Sequence, residues 1–476
     1  MRRIMGIVVL GLGLGLPLWH SAGADEVAGS DLQVGFGSRD ITPKVGPSHK
    51  PVYLAGFGKD RKATGVNDPL HARAVVFRDG KNKVAIVSVD LVGLFLDVTE
   101  RIRKQLPGFA HVVVTSTHNH EGPDTLGLWG PTPFKSGIDR DYLAFVEKQV
   151  VEAVREADTA SRPARGTIGQ VKAPELLHDG RIPIVLHDDL VVLRIEDAKT
   201  NKTTGLVVQW NCHPETLGSG NPLVSTDYVG YTIKHLQEKY ACPVVYITGT
   251  VGGLLTSLHV EIKNEKGESL RDGTYEKTAR YGELLAQATI KALSAEKPVR
   301  LTPVVARRKE IFMPLTNRGF VVARQFGVLE RETYLWKNAP EQPVLVKEID
   351  DPKKAYGMRT EVGYLGLGEL DVACIPGEIY PELVLGKVVE KAVPGADHPD
   401  APIEPAIYDQ LRGKYRMIIG LANDEIGYII PKRQWDEKPP FAYEKEKPQY
   451  GEVNSLGVDT APLLCEAFKE LMASRK

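Results

Sequence analysis

The feature that most constrains the fold of this chain is an alternation of short apolar runs with longer segments of helical periodicity. Apolar runs of this kind occur at 84–89, 111–116, 190–195, 205–210, 244–247, 370–375 and 417–421. Runs of four to six residues that are mostly apolar and are bounded by polar or turn residues are typical of buried strands. We therefore expect strands along most of the chain.

Between these runs lie segments in which apolar residues recur every three or four positions. Segment 139–157 places on one face Tyr142, Phe145, Val146, Val150 and Val154. Segments 275–294 and 460–473 show the same periodicity, and Ser-Thr-Asp at 225–227 caps a further helix that runs towards Tyr240. The alternation predicts an α/β fold with mixed sheets flanked by helices in a single large domain, and a layered α+β arrangement stays open.

The charge balance argues against a polyanionic partner. The 476 residues contain 60 Lys and Arg against 61 Asp and Glu, a formal net charge of -1. Such a chain has no general electrostatic field to hold nucleic acid. We therefore expect no nucleic acid as a partner.

The first 24 residues have the pattern of an export signal. Arg2 and Arg3 precede an apolar run at 4–18, and Ala-Gly-Ala at 22–24 precedes Asp25. A membrane anchor is the alternative, but the run is shorter than the roughly 20 residues that a span needs. We expect cleavage after Ala24 and a periplasmic or secreted protein, with one domain over 25–476.

The four cysteines, Cys212, Cys242, Cys374 and Cys465, lie far apart with no Cys-x-x-Cys. This spacing excludes a zinc ribbon and a thioredoxin motif. Buried free thiols are one interpretation, and a disulfide between Cys212 and Cys242 is the other.

The sharpest local signal is Thr-His-Asn-His-Glu-Gly-Pro at 117–123, directly after an apolar run. Residues i and i+2 of a strand point to the same side, so His118 and His120 would project together. Two imidazoles placed in this way suit zinc. A pair of surface histidines in a loop is the alternative.

Two further candidates also follow apolar runs. His213 lies in Asn-Cys-His-Pro-Glu at 211–215, and Glu378 ends Ile-Pro-Gly-Glu at 375–378. Polar residues at strand ends of an α/β sheet gather at one edge, so His213 could meet His118. Considered alone, His213 could equally be a core histidine, and Glu378 a helix cap.

Other enzyme motifs fit the chain poorly. Asn-His-Glu at 119–121 lacks the upstream and downstream partners of metallophosphoesterases, and the His-x-His lacks those of the barrel amidohydrolases. There is no Gly-x-Ser-x-Gly elbow and no Walker loop. Serine-hydrolase and nucleoside-triphosphatase functions therefore have no support in the sequence.

An ordered set of segments resembles the catalytic domain of neutral (non-lysosomal) ceramidases along nearly the whole chain. Residues 117–123 are close to that family's Thr-His-Thr-His-Ser-Gly-Pro, and 376–378 match its Pro-Gly-Glu. Similar segments occur at 34–43, 72–77, 87–91, 221–230 and 427–431.

The resemblance implies one catalytic zinc, held by His118, His213, Glu378 and Tyr428. It also implies that His120 stands beside the metal, where it acts on the tetrahedral intermediate or the leaving group. Arg181 matches an arginine near the family's site. A zinc with an open position activates water and polarises an amide carbonyl, and a neighbouring imidazole moves the proton.

Two departures from the family bear on the substrate. The family's serine lies in Gly-Asp-x-Ser-Pro, whereas 252–257 is Gly-Gly-Leu-Leu-Thr-Ser, with Leu255 at the serine position. Thr256 or Ser257 could replace that serine only if the loop shifts. The sequence ends at Lys476, directly after the last predicted helix, so we expect no C-terminal immunoglobulin-like domain of the family's kind.

The sequence therefore predicts an exported, zinc-dependent hydrolase that cleaves amides of the N-acyl, ceramide-like kind with metal-activated water. The alternative is a degenerate relative that keeps zinc as a structural element and binds a ligand at the cell envelope. The predicted partner is a small N-acyl or sphingolipid-like molecule, with peripheral contact to membrane lipid as an option. The oligomeric state stays open.

Three geometric expectations follow. The side chains of His118, His213, Glu378 and Tyr428 should lie within about 5 Å of a common point. Arg181 and His120 should border the same cavity, with Asp90 nearby at its strand end. The aromatic segment 435–450 should form a lid or apolar entrance, with a solvated connector as the alternative.

Overall fold

The structure, a computed structural model, describes residues 32–336 and 344–474. The predicted export signal at 1–24 lies outside the described residues. Within them, no helix combines the length and the apolar character that a membrane span requires.

The described residues form 21 strands and seven α-helices. The strands are β1 Gln33–Asp40, β2 Gly65–Val66, β3 His71–Arg78, β4 Lys83–Val89, β5 His111–Ser116, β6 Arg162–Lys172, β7 His178–Asp179, β8 Asp189–Asp197, β9 Thr203–Trp210, β10 Leu223–Val224, β11 Val244–Thr248, β12 Leu255–Thr256, β13 Lys297–Val299, β14 Val304–Leu315, β15 Thr333–Leu335, β16 Val344–Val346, β17 Tyr356–Leu367, β18 Leu370–Cys374, β19 Glu378–Ile379, β20 Tyr415–Ile419 and β21 Tyr428–Ile429. The helices are α1 Leu96–Lys104, α2 Arg140–Thr159, α3 Asp227–Tyr240, α4 Tyr275–Ser294, α5 Arg318–Gln325, α6 Pro381–Leu385 and α7 Thr460–Ala473. All seven predicted strands and all four predicted helices are confirmed.

Two mixed sheets carry most of these strands. The nine-stranded sheet has the order β11-β9-β8-β6-β1-β3-β4-β5, with β13 also paired to β6. The six-stranded sheet has the order β16-β15-β17-β18-β20, with β14 also paired to β17. Most neighbours are antiparallel, and the parallel pairs are β4 with β5, β9 with β11, and β18 with β20.

The two sheets pack face to face, with helices on both outer faces. One core cluster joins side chains of both sheets, among them Val113 from β5 and Leu365 from β17. Helices α1 to α4 cover the outer face of the nine-stranded sheet, and α6 and α7 cover that of the six-stranded sheet. The α/β prediction with mixed sheets is confirmed, in a layered form.

The layering explains why β5 is apolar at consecutive positions rather than at alternate ones. Val112 and Val114 face the helices, whereas Val113 faces the second sheet. Burying a valine side chain stabilises the fold by roughly 1.5–3 kcal/mol, so a strand buried on both faces favours an unbroken run.

Close packing of α2 on β1 depends on two glycines. A Cβ atom at Gly35 would lie 2.0 Å from the carbonyl oxygen of Ala157, and one at Gly37 would lie 2.2 Å from that of Ala153. Neither position could therefore hold a side chain without moving the helix.

The four cysteines are buried and free, so the alternative of a Cys212 to Cys242 disulfide is wrong.

Candidate metal centre and active site

The predicted ligands gather where parallel strands end. His118 lies two residues after β5, His213 three residues after β9, and Glu378 four residues after β18. Each of these strands belongs to a parallel pair, and the carboxyl ends of such strands are common sites of ligand binding. The packing of the two sheets brings these ends together.

His118 and His120 do lie side by side, but not through strand periodicity. Strand β5 ends at Ser116, and His118 has a φ of 64°, in the left-handed region. Their ring centroids are 4.9 Å apart. A turn of the backbone, rather than the pleat of a strand, therefore brings the two rings together.

His118 and His213 both point their Nε2 atoms at one carboxylate oxygen. Glu378 Oε2 lies 3.3 Å from His118 Nε2 and 3.0 Å from His213 Nε2. His118 Nδ1 donates to the Val92 carbonyl at 2.7 Å, and His213 Nδ1 donates to the Leu255 carbonyl at 2.9 Å. These bonds fix both rings with Nε2 towards Glu378.

This donor set fits a bound cation. With the proton on Nδ1, each neutral ring presents a lone pair to a carboxylate oxygen, and only a positive charge makes that contact favourable. Burial alone would lower the pKa of His213, but Glu378 and Glu215 raise it to about 9. The site therefore stabilises a positive charge, either as a proton or as a metal ion.

The spacing and ligand types point to the same conclusion. Two atoms bonded to a tetrahedral zinc at about 2.0–2.1 Å lie about 3.3 Å apart, close to the distances from Glu378 to the two histidines. Nitrogen atoms of His118, His120 and His213 also lie within 4.8 Å of one another. His118 and His213 belong to both ligand sets, so the structure leaves Glu378 and His120 as the competing third ligand.

Backbone pairing of two short strands places Tyr428 next to Glu378. Strands β19 and β21 are parallel, and Glu378 is the register partner of Tyr428. Burial and the charge of Glu378 raise the pKa of Tyr428 well above its ordinary value of 10. The phenol therefore keeps its proton unless a cation lies against it.

His120 lies beside a second carboxylate, that of Glu215. Its Nδ1 lies 3.3 Å from Glu215 Oε2, although the two atoms are not aligned for a hydrogen bond. Burial lowers the pKa of His120 to about 4, so its ring is neutral near pH 7. Burial would raise the pKa of Glu215, but its contacts with His120, His213 and Thr256 lower it to about 2.

The loop before β2 holds the His120 ring in place. A Cβ atom at Gly56, whose φ is 88°, would lie 2.2 Å from His120 Cγ, and Phe57 meets the ring edge-on with centroids 5.0 Å apart. Arg61 stacks on Phe57, 5.0 Å from its ring centroid, and pairs with Glu121 at 2.7 Å. The absence of a side chain at Gly56 is what lets the ring lie there.

A cavity of about 530 Å³ opens onto these groups. Its polar wall includes His118, His120, Glu378, Glu425 and Tyr428. Its remaining wall is largely apolar, with Phe57, Val92, Phe95, Leu126, Leu128, Trp129, Phe320, Leu329, Met358, Ile426 and Leu456. An apolar cavity with a few convergent polar groups is typical of a small-molecule site.

Known proteins that resemble this chain include a curated relative and two solved structures. No family model matches the chain. The neutral ceramidase of Mycobacterium tuberculosis is 24% identical over 236 residues, which cover 44% of this chain and 36% of the mycobacterial protein. The chain thus spans about a third of that curated relative.

Two solved structures resemble the chain over 93% of its length. Neutral ceramidase from Pseudomonas aeruginosa has a TM-score of 0.69 at 16% identity, with 74% of that chain covered. A ceramidase complexed with C2 has a TM-score of 0.68 at 15% identity, with 75% covered. The chain has the neutral ceramidase fold. The resemblance found in the sequence is confirmed.

Within this neutral ceramidase fold, Arg181 does not border the cavity, contrary to expectation. Its guanidinium pairs with Glu452 at 2.6 Å and donates to the backbone carbonyls of Gln434 and Tyr450 at 2.6 and 2.7 Å. It lies outside the cavity lining because these three partners hold it behind the wall. Arg181 therefore positions the segment that carries Tyr450.

Asp90 follows β4 and is close to the histidine turn only through its backbone, whose carbonyl accepts from Asn119 Nδ2 at 3.2 Å. Its carboxylate instead pairs with Arg73 at 2.6 Å.

Only one aromatic residue of the predicted lid at 435–450 lines the cavity. This residue is Tyr450, whereas Trp435, Phe441 and Tyr443 are not part of the cavity lining.

Neither hydroxyl near Leu255 replaces the serine of neutral ceramidases in the cavity. Ser257 Oγ donates to the His213 carbonyl at 2.9 Å, and Thr256 Oγ1 donates to Glu215. Leu255 itself is fully buried. This loop therefore orients His213 and Glu215.

Sequence reasoning missed Glu215 and Glu425. Glu215 lies two residues after His213, a signal that was present in the sequence but had no motif attached to it. Glu425 lines the cavity with its Oε2 unpaired, while Oε1 accepts from the Gly427 N–H at 2.8 Å. Its place in the wall depends on the turn before β21, which periodicity does not reveal.

Proposed function

We propose that this chain is a zinc-dependent hydrolase, exported to the periplasm or beyond, that cleaves the amide bond of N-acyl, ceramide-like molecules. The observation that carries the proposal is the pairing of His120 with Glu215 beside the cluster of His118, His213 and Glu378, at the polar end of an apolar cavity. Such a site offers a cation and a separate acid-base group to one substrate.

The comparisons with known proteins also support this proposal. The curated relative is named a neutral ceramidase, and one structural neighbour is a ceramidase complexed with C2. Since the chain spans about a third of the curated relative, its own activity and substrate are part of the proposal.

In this proposal His118, His213, Glu378 and Tyr428 hold the zinc. When bound at such a site, zinc lowers the pKa of a coordinated water and polarises a carbonyl oxygen. The Val92 and Leu255 carbonyls keep the two histidines in the tautomer that a metal requires.

His120 takes the role of acid-base group. Because burial keeps its ring neutral near pH 7, His120 can accept a proton from the attacking water and return it to the leaving amine nitrogen. The Glu215 carboxylate, 3.3 Å from Nδ1, stabilises the imidazolium that forms between the two transfers.

The apolar wall then receives the acyl chain. Phe95, Leu126, Phe320 and Leu329 offer no hydrogen bond, so they favour a hydrocarbon over a polar group. Tyr450 stands at the same cavity, with its ring centroid 5.9 Å from that of Tyr428.

One observation favours the rival, a relative that binds a ligand without turnover. Leu255 stands at the serine position, and the hydroxyls of Thr256 and Ser257 are bonded elsewhere. This observation argues against hydrolysis assisted by a serine. It does not argue against hydrolysis by metal-activated water, because that route needs no hydroxyl at this position.

The test combines metal analysis with turnover. The purified chain is analysed for zinc and incubated with N-acyl compounds of short and long acyl length, before and after chelation. We expect about one zinc per chain, release of fatty acid, and loss of turnover on chelation that added zinc restores. Bound zinc with no turnover of any amide would favour the rival, and the absence of zinc binding would overturn the proposal.

A further inference from the structure

Glu425 is a buried acid in the cavity wall that the proposed hydrolysis does not use. Its side chain lines the cavity although the residue is only 6% exposed. Its Oε1 atom accepts from the Gly427 N–H at 2.8 Å, whereas Oε2 has no hydrogen-bond partner among the described residues. A buried polar atom without a partner destabilises a fold, so one in a cavity wall points to a ligand that supplies the missing contact.

The side chain of Glu425 is held at both ends. A Cβ atom at Gly93 would lie 2.9 Å from both Cβ and Cγ of Glu425, so only a glycine at position 93 leaves room for this stem. The hydrogen bond to the Gly427 N–H fixes the carboxyl end. A polar group positioned in this way is suited to recognising one feature of a ligand.

Two cations line the same cavity, but both are bound elsewhere. Arg331 forms a salt bridge with Asp424 at 2.8 Å and donates to the main-chain carbonyl of Glu425 at 3.2 Å. Lys59 donates to the Leu128 carbonyl at 2.6 Å. Neither cation therefore takes the free Oε2 atom.

The position of Glu425 places it beside the candidate metal centre. Residues 425–428 all line the cavity, and this turn ends at Tyr428, the register partner of Glu378. Burial and, next in importance, the charge of Glu378 raise the pKa of Glu425 well above its ordinary value of 4.5. The head group of an amide held at the metal centre thus has Glu425 as a neighbour.

We propose that Glu425 is a specificity-determining residue that selects amides whose head group carries a hydroxyl close to the amide nitrogen, over amides with an apolar head group. A hydroxyl both donates and accepts, so it bonds to Oε2 whether or not the carboxyl group is ionised. The inference rests on the proposed function, because it takes the amide to lie at the metal centre.

The other head groups fit this wall less well. An apolar head group would leave Oε2 without a partner, and a site built to bond a substrate hydroxyl rejects the analogue that lacks it. An ammonium head group would lie in the same cavity as Lys59 and Arg331, which repel it, and it would lose its hydration on entering an apolar cavity. A hydroxyl avoids both penalties.

The test uses amides that share an octanoyl chain and differ in one group of the head. N-octanoylethanolamine has a hydroxyl where N-octanoylpropylamine has a methyl and N-octanoylethylenediamine has an ammonium. Each amide has an octanesulfonyl counterpart, a sulfonamide that resists hydrolysis. Turnover of the amides and calorimetric binding of the sulfonamides to the zinc-loaded chain are measured separately.

In the parent we expect kcat/KM and affinity to favour the hydroxyl compound over the propyl compound about 10-fold or more. Glu425→Leu should bring both ratios close to one. Glu425→Gln should keep part of them, because its amide can accept from the Gly427 N–H and still donate to a hydroxyl. The control Met358→Leu changes the cavity wall without removing a polar group and should keep the parent's ratios. Zinc content should match the parent in all three variants.

Three results would overturn the inference. One is that the parent binds the hydroxyl and propyl sulfonamides equally or binds neither, a measurement that needs no variant to fold. Another is loss of zinc in Glu425→Gln, which would make Glu425 a metal ligand. The third is a preference for the ethylenediamine compound, which would make Glu425 a site for a cation.

Failure of the proposed function gives a different pattern. If the chain is not a hydrolase, no amide is turned over by the parent or any variant. The sulfonamides would still bind with a preference for the hydroxyl compound that Glu425→Leu removes.

Discussion

Glu378 and Tyr428 stand directly opposite each other in the two-residue parallel pair of β19 and β21. This pairing fixes a phenol beside a carboxylate that already contacts two histidines at 3.0 and 3.3 Å. Two segments 50 positions apart in sequence are thereby joined by main-chain hydrogen bonds beside the candidate metal centre. The pairing therefore makes the proposed ligand set one preorganised unit.

Metal content should separate the competing ligand sets. We expect His118→Ala, His213→Ala and Glu378→Gln each to lower bound zinc strongly, because each removes a ligand that the fold already orients. His120→Ala should keep the zinc. Elemental analysis of the purified variants after dialysis measures this, and loss of zinc in His120→Ala with retention in Glu378→Gln would assign the third ligand to His120.

Turnover should depend on His120 and not on the nearby hydroxyls. We expect His120→Ala to lower kcat about 100-fold or more, the usual scale for an acid-base group, with zinc content unchanged. Thr256→Ala and Ser257→Ala should retain turnover, because neither hydroxyl lines the cavity and each donates to a group of the protein, Glu215 or the His213 carbonyl. A loss in Ser257→Ala as large as that in His120→Ala, at normal zinc content, would return a serine-assisted route.

Much of the fold could be predicted because buried strands and amphipathic helices have clear periodicities. Strands β4, β5, β8, β9, β11, β18 and β20 are apolar enough to stand out, as are α2, α3, α4 and α7. Strand β14 does not stand out, since charged residues such as Arg308 and Glu310 are exposed along its half-exposed length. Periodicity also cannot pair β14 with β17, because that pairing depends on tertiary packing.

The site was predictable only in part, and for a different reason. Resemblance, not periodicity, assembled His213, Glu378 and Tyr428 into one set, and the structure brings them together. It could not place Arg181, because the partners of that guanidinium lie more than 250 positions away in sequence. Nor could it give Glu215 a role, since the role depends on the distance of that carboxylate from His120.

Arg181 should affect stability and the Tyr450 segment rather than the chemical step. Its side chain and that of Glu452 are almost fully buried, so Arg181→Met leaves an unpaired buried carboxylate and should cost about 3–5 kcal/mol of unfolding free energy. The double variant Arg181→Met/Glu452→Leu should recover part of that loss. Denaturant unfolding measures both, and equal stability of the single and double variants would contradict the buried pair.

A kinetic control separates positioning from catalysis. If Arg181 only holds the Tyr450 carbonyl, Arg181→Lys should raise KM for long-chain substrates more than it lowers kcat for short ones. A uniform loss of kcat with unchanged KM would instead place the guanidinium at the reacting atoms.

The last prediction concerns pH and a buried acid outside the metal site. Glu382 in α6 is 2% exposed and its Oε2 has no hydrogen-bond partner. Burial raises the pKa of Glu382 from 4.5 to about 8. Between these values the folded chain keeps a proton that the unfolded chain releases, so this contribution to stability is full below pH 4.5 and is lost as the pH rises to 8. At about 1.4 kcal/mol per pKa unit the loss amounts to a few kcal/mol.

Glu382→Gln cannot ionise, so its unfolding free energy relative to the parent should rise by that amount between pH 5 and pH 8 in urea titrations. The control Glu444→Gln, at an exposed carboxylate, should show no such rise. A difference for Glu382→Gln that stays constant across this range would mean that Glu382 is ionised in the folded chain and has a partner that offsets its charge.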